Sequence, residues 1–177
     1  MGARTLVTFE QFEQFHDDGM KHELIEGEHI ALPPAKLRRL EIQDRLVESL
    51  RPWVKARRLG KVHSEAGFKL SARSWIQPDI SFVRNAQIEA TGKSDYYQGA
   101  PAIAIEIASE SNPAAQLDQK MKLYFANGAE EVWHVFPRTK SIRVHAPDGT
   151  SRTVASGDLR SAVLPGWAIA VDSLFEA

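Results

Sequence analysis

The sequence contains no cysteine, which excludes disulfides and thiolate metal sites and makes a reducing cytosol the expected setting. No apolar run approaches membrane-spanning length, and the opening MGARTLVTFEQF turns amphipathic too early for a signal peptide. Neither sign of charge dominates: 22 Lys and Arg stand against 23 Asp and Glu, a net of -1, so no strong overall field surrounds the molecule. The six histidines are scattered without zinc-ligand spacing, and there is neither a phosphate-binding glycine loop nor a nucleophile-elbow serine. Internal repeats and low-complexity segments are also missing. What remains is an ordinary globular composition in 177 residues, which suits one domain spanning 1–177 with a real core and is too short for two.

Punctuation and periodicity then divide the chain. Thr8 and Gln11 form a capping-box pattern, and Phe9, Phe12 and Phe15 recur at helical spacing, which predicts a short helix ending near Gly19. HELIEGEHIAL reads as two strands of a hairpin, or as a helix end running into a strand. An apolar stripe of Leu40, Leu46, Val47, Leu50, Trp53 and Val54 predicts the longest helix, from Lys36 to about Arg58, with a kink at Pro52. Strands are expected over 61–70, 76–83 and 102–108, with a loop over 85–99. Asn112-Pro113 opens a further helix carrying Leu117, Met121, Tyr124 and Phe125, followed by a strand over 131–136 and C-terminal antiparallel strands. The expected fold is α/β, a mixed central sheet flanked by helices with one strand-helix-strand crossover.

PAIAIEIAS holds the strongest chemical signal. Alternation puts Ile103, Ile105 and Ile107 on one face and Ala102, Ala104 and Glu106 on the other. A glutamate in so apolar a strand needs a partner, either an arginine or a ligand. In IQPDISFV, Pro78 marks a strand start and sets Asp79 there. Consecutive strands are usually neighbours, so Asp79 and Glu106 are expected to converge. Two close carboxylates repel unless a proton or a cation lies between them, and a hard cation such as Mg²⁺ suits their oxygens. Helical rotation from Leu117 turns Lys120 toward the sheet and Lys122 toward water. Lys120 is then either a charge stabiliser or a snorkelling lysine over apolar surface.

The ordered series HELIEGEHI, QPDISFV, AIEIAS, KMKLY and GAEEVWHVFP resembles the Uma-two family, described as putative restriction endonucleases, of the PD-(D/E)XK nuclease superfamily. The resemblance implies a restriction-endonuclease-like αβββαβ core, a divalent-metal site and phosphodiester hydrolysis. It implies catalytic roles for Asp79, Glu106 and Lys120. It further implies a shell for Mg²⁺, or Mn²⁺, made of Asp79, Glu106, the main-chain carbonyl of Ile107, and Glu23. The lysine of the usual E-x-K is replaced by Ala108, and Lys120 on the following helix takes its place. Gln116 replaces an acid common in the family, Phe136 an aspartate, and Arg39 a histidine. Gln119 is a further candidate for a water or phosphate contact, or a plain surface glutamine.

Between Lys36 and Lys61 nine basic residues face three acidic ones, a local charge of +6. This segment, with Arg38, Arg39 and Arg45, is the candidate phosphate-contacting surface, the alternative being a solvated helix face. The functional expectation is a divalent-metal-dependent endonuclease acting on nucleic acid, DNA first, as a homodimer and without a membrane partner. The competing expectation is a catalytically silent nuclease-fold module that binds nucleic acid or a protein.

Overall fold

The computed structural model of the chain describes residues 6–15, 17–109 and 113–176. The first five residues, His16 and the expected helix opening at Asn112 lie outside the described residues. The capping box at Thr8 forms as expected, with Thr8 Oγ1 and the Gln11 side chain each accepting the other residue's backbone N–H, but helix α1 covers only Phe9–Phe12. It stops well before Gly19 because the Asp17 and Asp18 carboxylates capture the N–H groups of Gly19 and Met20, a local bonding that competes with helix.

Strands β1 (Lys21–Ile25) and β2 (Glu28–Leu32) are the hairpin alternative, closed by Glu26 and Gly27, both at positive φ. That is the conformation a two-residue hairpin turn requires. Helix α2 (Leu37–Ala56) runs through Pro52 and buries Ile42, Leu46, Val47, Leu50 and Val54.

The expected strands over 61–70 and 76–83 are each two strands. β3 (Gly60–Ser64) and β4 (Phe68–Ser71) are separated where Glu65 takes positive φ and Gly67 lies so close under the Trp75 ring that a Cβ would meet it at 2.4 Å. β5 (Ser74–Ile76) and β6 (Ile80–Arg84) are separated at Pro78, which has no N–H for a ladder. The expected loop over 85–99 contains helix α3 (Asn85–Thr91) and the short strand β7 (Tyr97–Gln98). Strand β8 (Ile103–Ile107), helix α4 (Ala114–Ala126) and strand β9 (Glu131–Phe136) make the expected crossover. β10 (Ser141–His145), β11 (Ser151–Val154), β12 (Asp158–Arg160), β13 (Ala168–Ala170) and helix α5 (Val171–Phe175) complete the chain.

The strands form a five-stranded sheet in the order β2-β1-β5-β4-β7, a six-stranded sheet in the order β11-β10-β9-β8-β6-β3, and the β12-β13 pair. In the larger sheet β8 runs antiparallel to β6 and parallel to β9, so α2-β3-β6-β8-α4-β9 is the αβββαβ core and β10 and β11 extend it. One face of this sheet packs Ile103, Ile105, Ile107, Trp133 and Val135 against α2, α5 and Trp167. The other face packs Ala104 and Val132 against Tyr124 of α4 and against Ile25, Phe68 and Ile76 of the smaller sheet. Among the described residues no helix is long and apolar enough to cross a membrane.

Candidate active site at the junction of two sheets

The alternation along β8 places Glu106 on the face shared with Ala104, beneath α4 and beside the smaller sheet. The β6–β8 register pairs Ile80 with Ile105 and Ser81 with Ala104; continued by one residue, it sets Asp79 opposite Glu106. Asp79 Oδ2 accepts the Ile107 N–H at 2.6 Å, which fixes that convergence. On the other side of β8, the parallel register pairs Glu106 with His134.

Two elements bring in the remaining groups. From β1 comes Glu23, whose Oε1 accepts the Gln77 N–H at 2.9 Å. Gln77 lies where the chain leaves the smaller sheet after β5 and enters the larger one at β6, so this bond joins the two sheets at the site. From α4 come Lys120 and, one turn later, Tyr124. Lys120 Nζ lies 2.7 Å from Glu106 Oε1 and 3.0 Å from both oxygens of Glu23. Tyr124 donates its O–H to Glu106 Oε1 at 2.6 Å. Lys122, on the opposite side of the helix, is exposed and pairs with Asp118.

Glu23, Asp79, Glu106 and Lys120 are all at most 4% exposed. Burial raises the Glu106 pKa, the Lys120 ammonium pulls it back, and Asp79 and Glu23 push it up again, for a net rise. Burial by itself would lower the Lys120 pKa, but Glu106 and Glu23 more than offset it and hold the ammonium in its charged form.

Asp79 Oδ1 is covered from the side of α2, where the Arg39 guanidinium donates to it, and from β1, where Lys21 Nζ stands 3.5 Å away. Lys21 also reaches Glu65, at 3.8 Å. The oxygens of Glu23, Asp79 and Glu106 are the donor type a hard divalent cation takes. Glu23 Oε2, buried beside Lys120, accepts no hydrogen bond. By donor chemistry the set fits such an ion. Yet among the described residues no three acidic or histidine side chains stand together as a ready ligand set; Lys120 is paired with Glu23 and Glu106, and Arg39 with Asp79.

The other expected contacts are dispersed. Arg38 is exposed, with one long contact of 3.5 Å to the Pro137 carbonyl. Arg45 donates to the carbonyls of Leu174 and Glu176 and holds the C-terminal helix against α2. Gln119 donates to Glu26 at the hairpin turn. Four residues of the neighbourhood were not singled out from the sequence: Lys21, Glu65, Tyr124 and His134. Tyr124 was legible as the residue one turn beyond Lys120, and Lys21 as the residue sharing a β1 face with Glu23. Nothing in local spacing marks Glu65 or His134, whose places follow from strand pairing.

An α/β nuclease fold with buried carboxylates and a lysine at a sheet junction is what this geometry defines. The Uma2 family, described as putative restriction endonucleases, matches residues 9–172, and the chain belongs to that family. Its structure is similar to the crystal structure of a putative nuclease belonging to DUF820 from Anabaena variabilis, with a TM-score of 0.86 at 19% identity, covering 96% of this chain and 97% of that one. No curated protein matches the chain.

Proposed function

We propose that this protein is a divalent-metal-dependent nuclease that hydrolyses phosphodiester bonds of nucleic acid, DNA in the first instance, by endonucleolytic cutting. The observation that carries the reading is that Glu23, Asp79, Glu106 and Lys120, from four separate stretches of the chain, are buried side by side, with Lys120 paired to both glutamates and Asp79 anchored on the Ile107 N–H next to Glu106. A structural ion pair needs two such groups, not four. A second buried acid makes the contrast: Glu131 satisfies its oxygens with Trp133, Ser161 and the Ala162 N–H, all neutral donors.

Asp79, Glu106, Glu23 and the Ile107 carbonyl would hold Mg²⁺, or Mn²⁺ in its place. A bound ion of that kind polarises a phosphate and lowers the pKa of a water. Lys120, charged and fixed between two glutamates, is placed to orient a water or to offset phosphate charge in the transition state. Tyr124 and the Ile107 N–H hold Glu106 and Asp79 in fixed orientations. Near the site, exposed Arg38 in the first turn of α2 supplies a phosphate-contacting surface. The reading extends to a homodimer, for which Leu37, 77% exposed near that surface, is the candidate contact.

The test is cleavage of single- and double-stranded DNA and RNA with Mg²⁺ or Mn²⁺ by wild type, Glu106→Gln and Lys120→Met. Cleavage is expected from wild type, with at least a hundredfold loss in each variant. Equal rates in all three would sink the site. The alternative, a silent module, draws support from the ion pairs that already neutralise the site; it predicts retarded mobility of nucleic acid without cleavage under any metal.

A further inference from the structure

Three carboxylates at the site are matched by three cations. Glu23 and Glu106 share Lys120, and Asp79 is faced by Lys21 and Arg39. Each of these carboxylates already has a cationic partner, so a divalent ion entering the cluster competes with a cation in place.

The three cations differ in how they are held. The Lys120 side chain is 5% exposed and wedged between two glutamates from different sheets. The Arg39 side chain is 14% exposed and reaches Asp79 from the first turn of α2, with its Nε buried and lacking a hydrogen-bond acceptor. Lys21 stands 3.5 Å from Asp79 and divides its charge with Glu65. Asp79 itself has one oxygen committed to the Ile107 N–H and the other covered by Arg39. The guanidinium therefore sits on the Asp79 oxygen a metal would take.

Its location adds a second observation. A cation in the first turn of a helix opposes the helix dipole, and α2 begins with Arg38 and Arg39 and no acid. Arg39 is thus held in an electrostatically poor position by its partner across the site rather than by its own helix. A guanidinium at that end of α2 has a phosphate as a natural partner.

We propose that Arg39 is an exchangeable counter-ion: a divalent cation and the Arg39 guanidinium compete for Asp79, so that metal loading releases Arg39 as a positioning residue for the substrate phosphate. This inference rests on the metal-dependent reading above and concerns a residue that reading does not require.

The test is Mn²⁺ binding without nucleic acid, followed by calorimetry, for wild type, Arg39→Gln, Arg39→Lys and Glu106→Gln. Arg39→Gln is expected to bind Mn²⁺ at least tenfold more tightly than wild type, and Arg39→Lys about threefold. Two variants are used so that the result does not depend on one of them folding. In parallel, Arg39→Gln is expected to melt below wild type without metal and to close that gap at saturating Mn²⁺, whereas a purely structural arginine would leave the gap unchanged. Mn²⁺ binding that Glu106→Gln abolishes and Arg39→Gln leaves unaltered would overturn the exchange while keeping the metal site. Absence of Mn²⁺ binding in every protein would overturn both.

Discussion

Lys120 is the residue on which stability and the proposed chemistry converge. Removing one partner of a buried ion pair strands the other charge, and here the stranded charges are two glutamates, Glu23 and Glu106, neither more than 1% exposed. Lys120→Met is therefore expected to cost about 3–5 kcal/mol, read as a lowered urea midpoint, and divalent metal is expected to restore part of it by binding the folded state. A midpoint unchanged within error would mean that the glutamates protonate or hydrate freely. Much of this centre was legible in the chain itself. Glu106 stood out because period-two alternation set a carboxylate among alanines, and Lys120 because helical rotation turned it inward. Arg39 and Lys21 were not legible as partners of Asp79. Arg39 was marked only as a phosphate contact and Lys21 only by the β1 face it shares with Glu23, and the folding of α2 and the β1-β2 hairpin over the β5-β6 junction is what brings them to Asp79.

At the scale of elements, α2 shows a conflict between helix stability and charge placement. Its first turn carries Arg38 and Arg39 where the dipole favours acids. Arg38→Glu is expected to stabilise the protein by about 0.3–1 kcal/mol, measured by thermal or urea unfolding. The same change is expected to weaken nucleic-acid binding and to reduce the salt dependence of that binding by about one counterion. Stabilisation without loss of binding would remove this end of α2 from the proposed surface. The helices with long apolar stripes, α2 and α4, were readable from their periodicity. The break at 77–79 carried its signal in Pro78, although the transfer of the chain from one sheet to the other there did not show; the break at 65–67 was not readable, because its cause is the Trp75 ring packed on Gly67, a contact made only when β4 and β5 pair. The short α3 has one apolar residue, Ile88, turned to the core, too little to show a period.

At the scale of the whole molecule, the junction of the sheets ties the site to global stability through its titratable groups. The row that runs from Asp79 across Glu106 continues to His134 on β9. Its Nδ1 is 3.2 Å from His145 Nε2, while its Nε2 is buried without a partner. Burial first, then His145, Arg143 and Lys120, push the His134 pKa down to about 4. An unfolded histidine takes its proton near pH 6.5. Between those values the unfolded chain binds a proton that the folded chain refuses, so stability is complete above about pH 6.5 and is lost as pH falls toward about 4. Wild type is accordingly expected to lose about 2 kcal/mol more than His134→Gln between pH 7 and pH 4.5. Urea unfolding of both proteins at the two pH values measures this, because titrating groups that do not touch His134 contribute to both and cancel in the difference. Equal losses would mean that His134 accepts a proton within the fold, and that the positive charges around it weigh less than its burial implies.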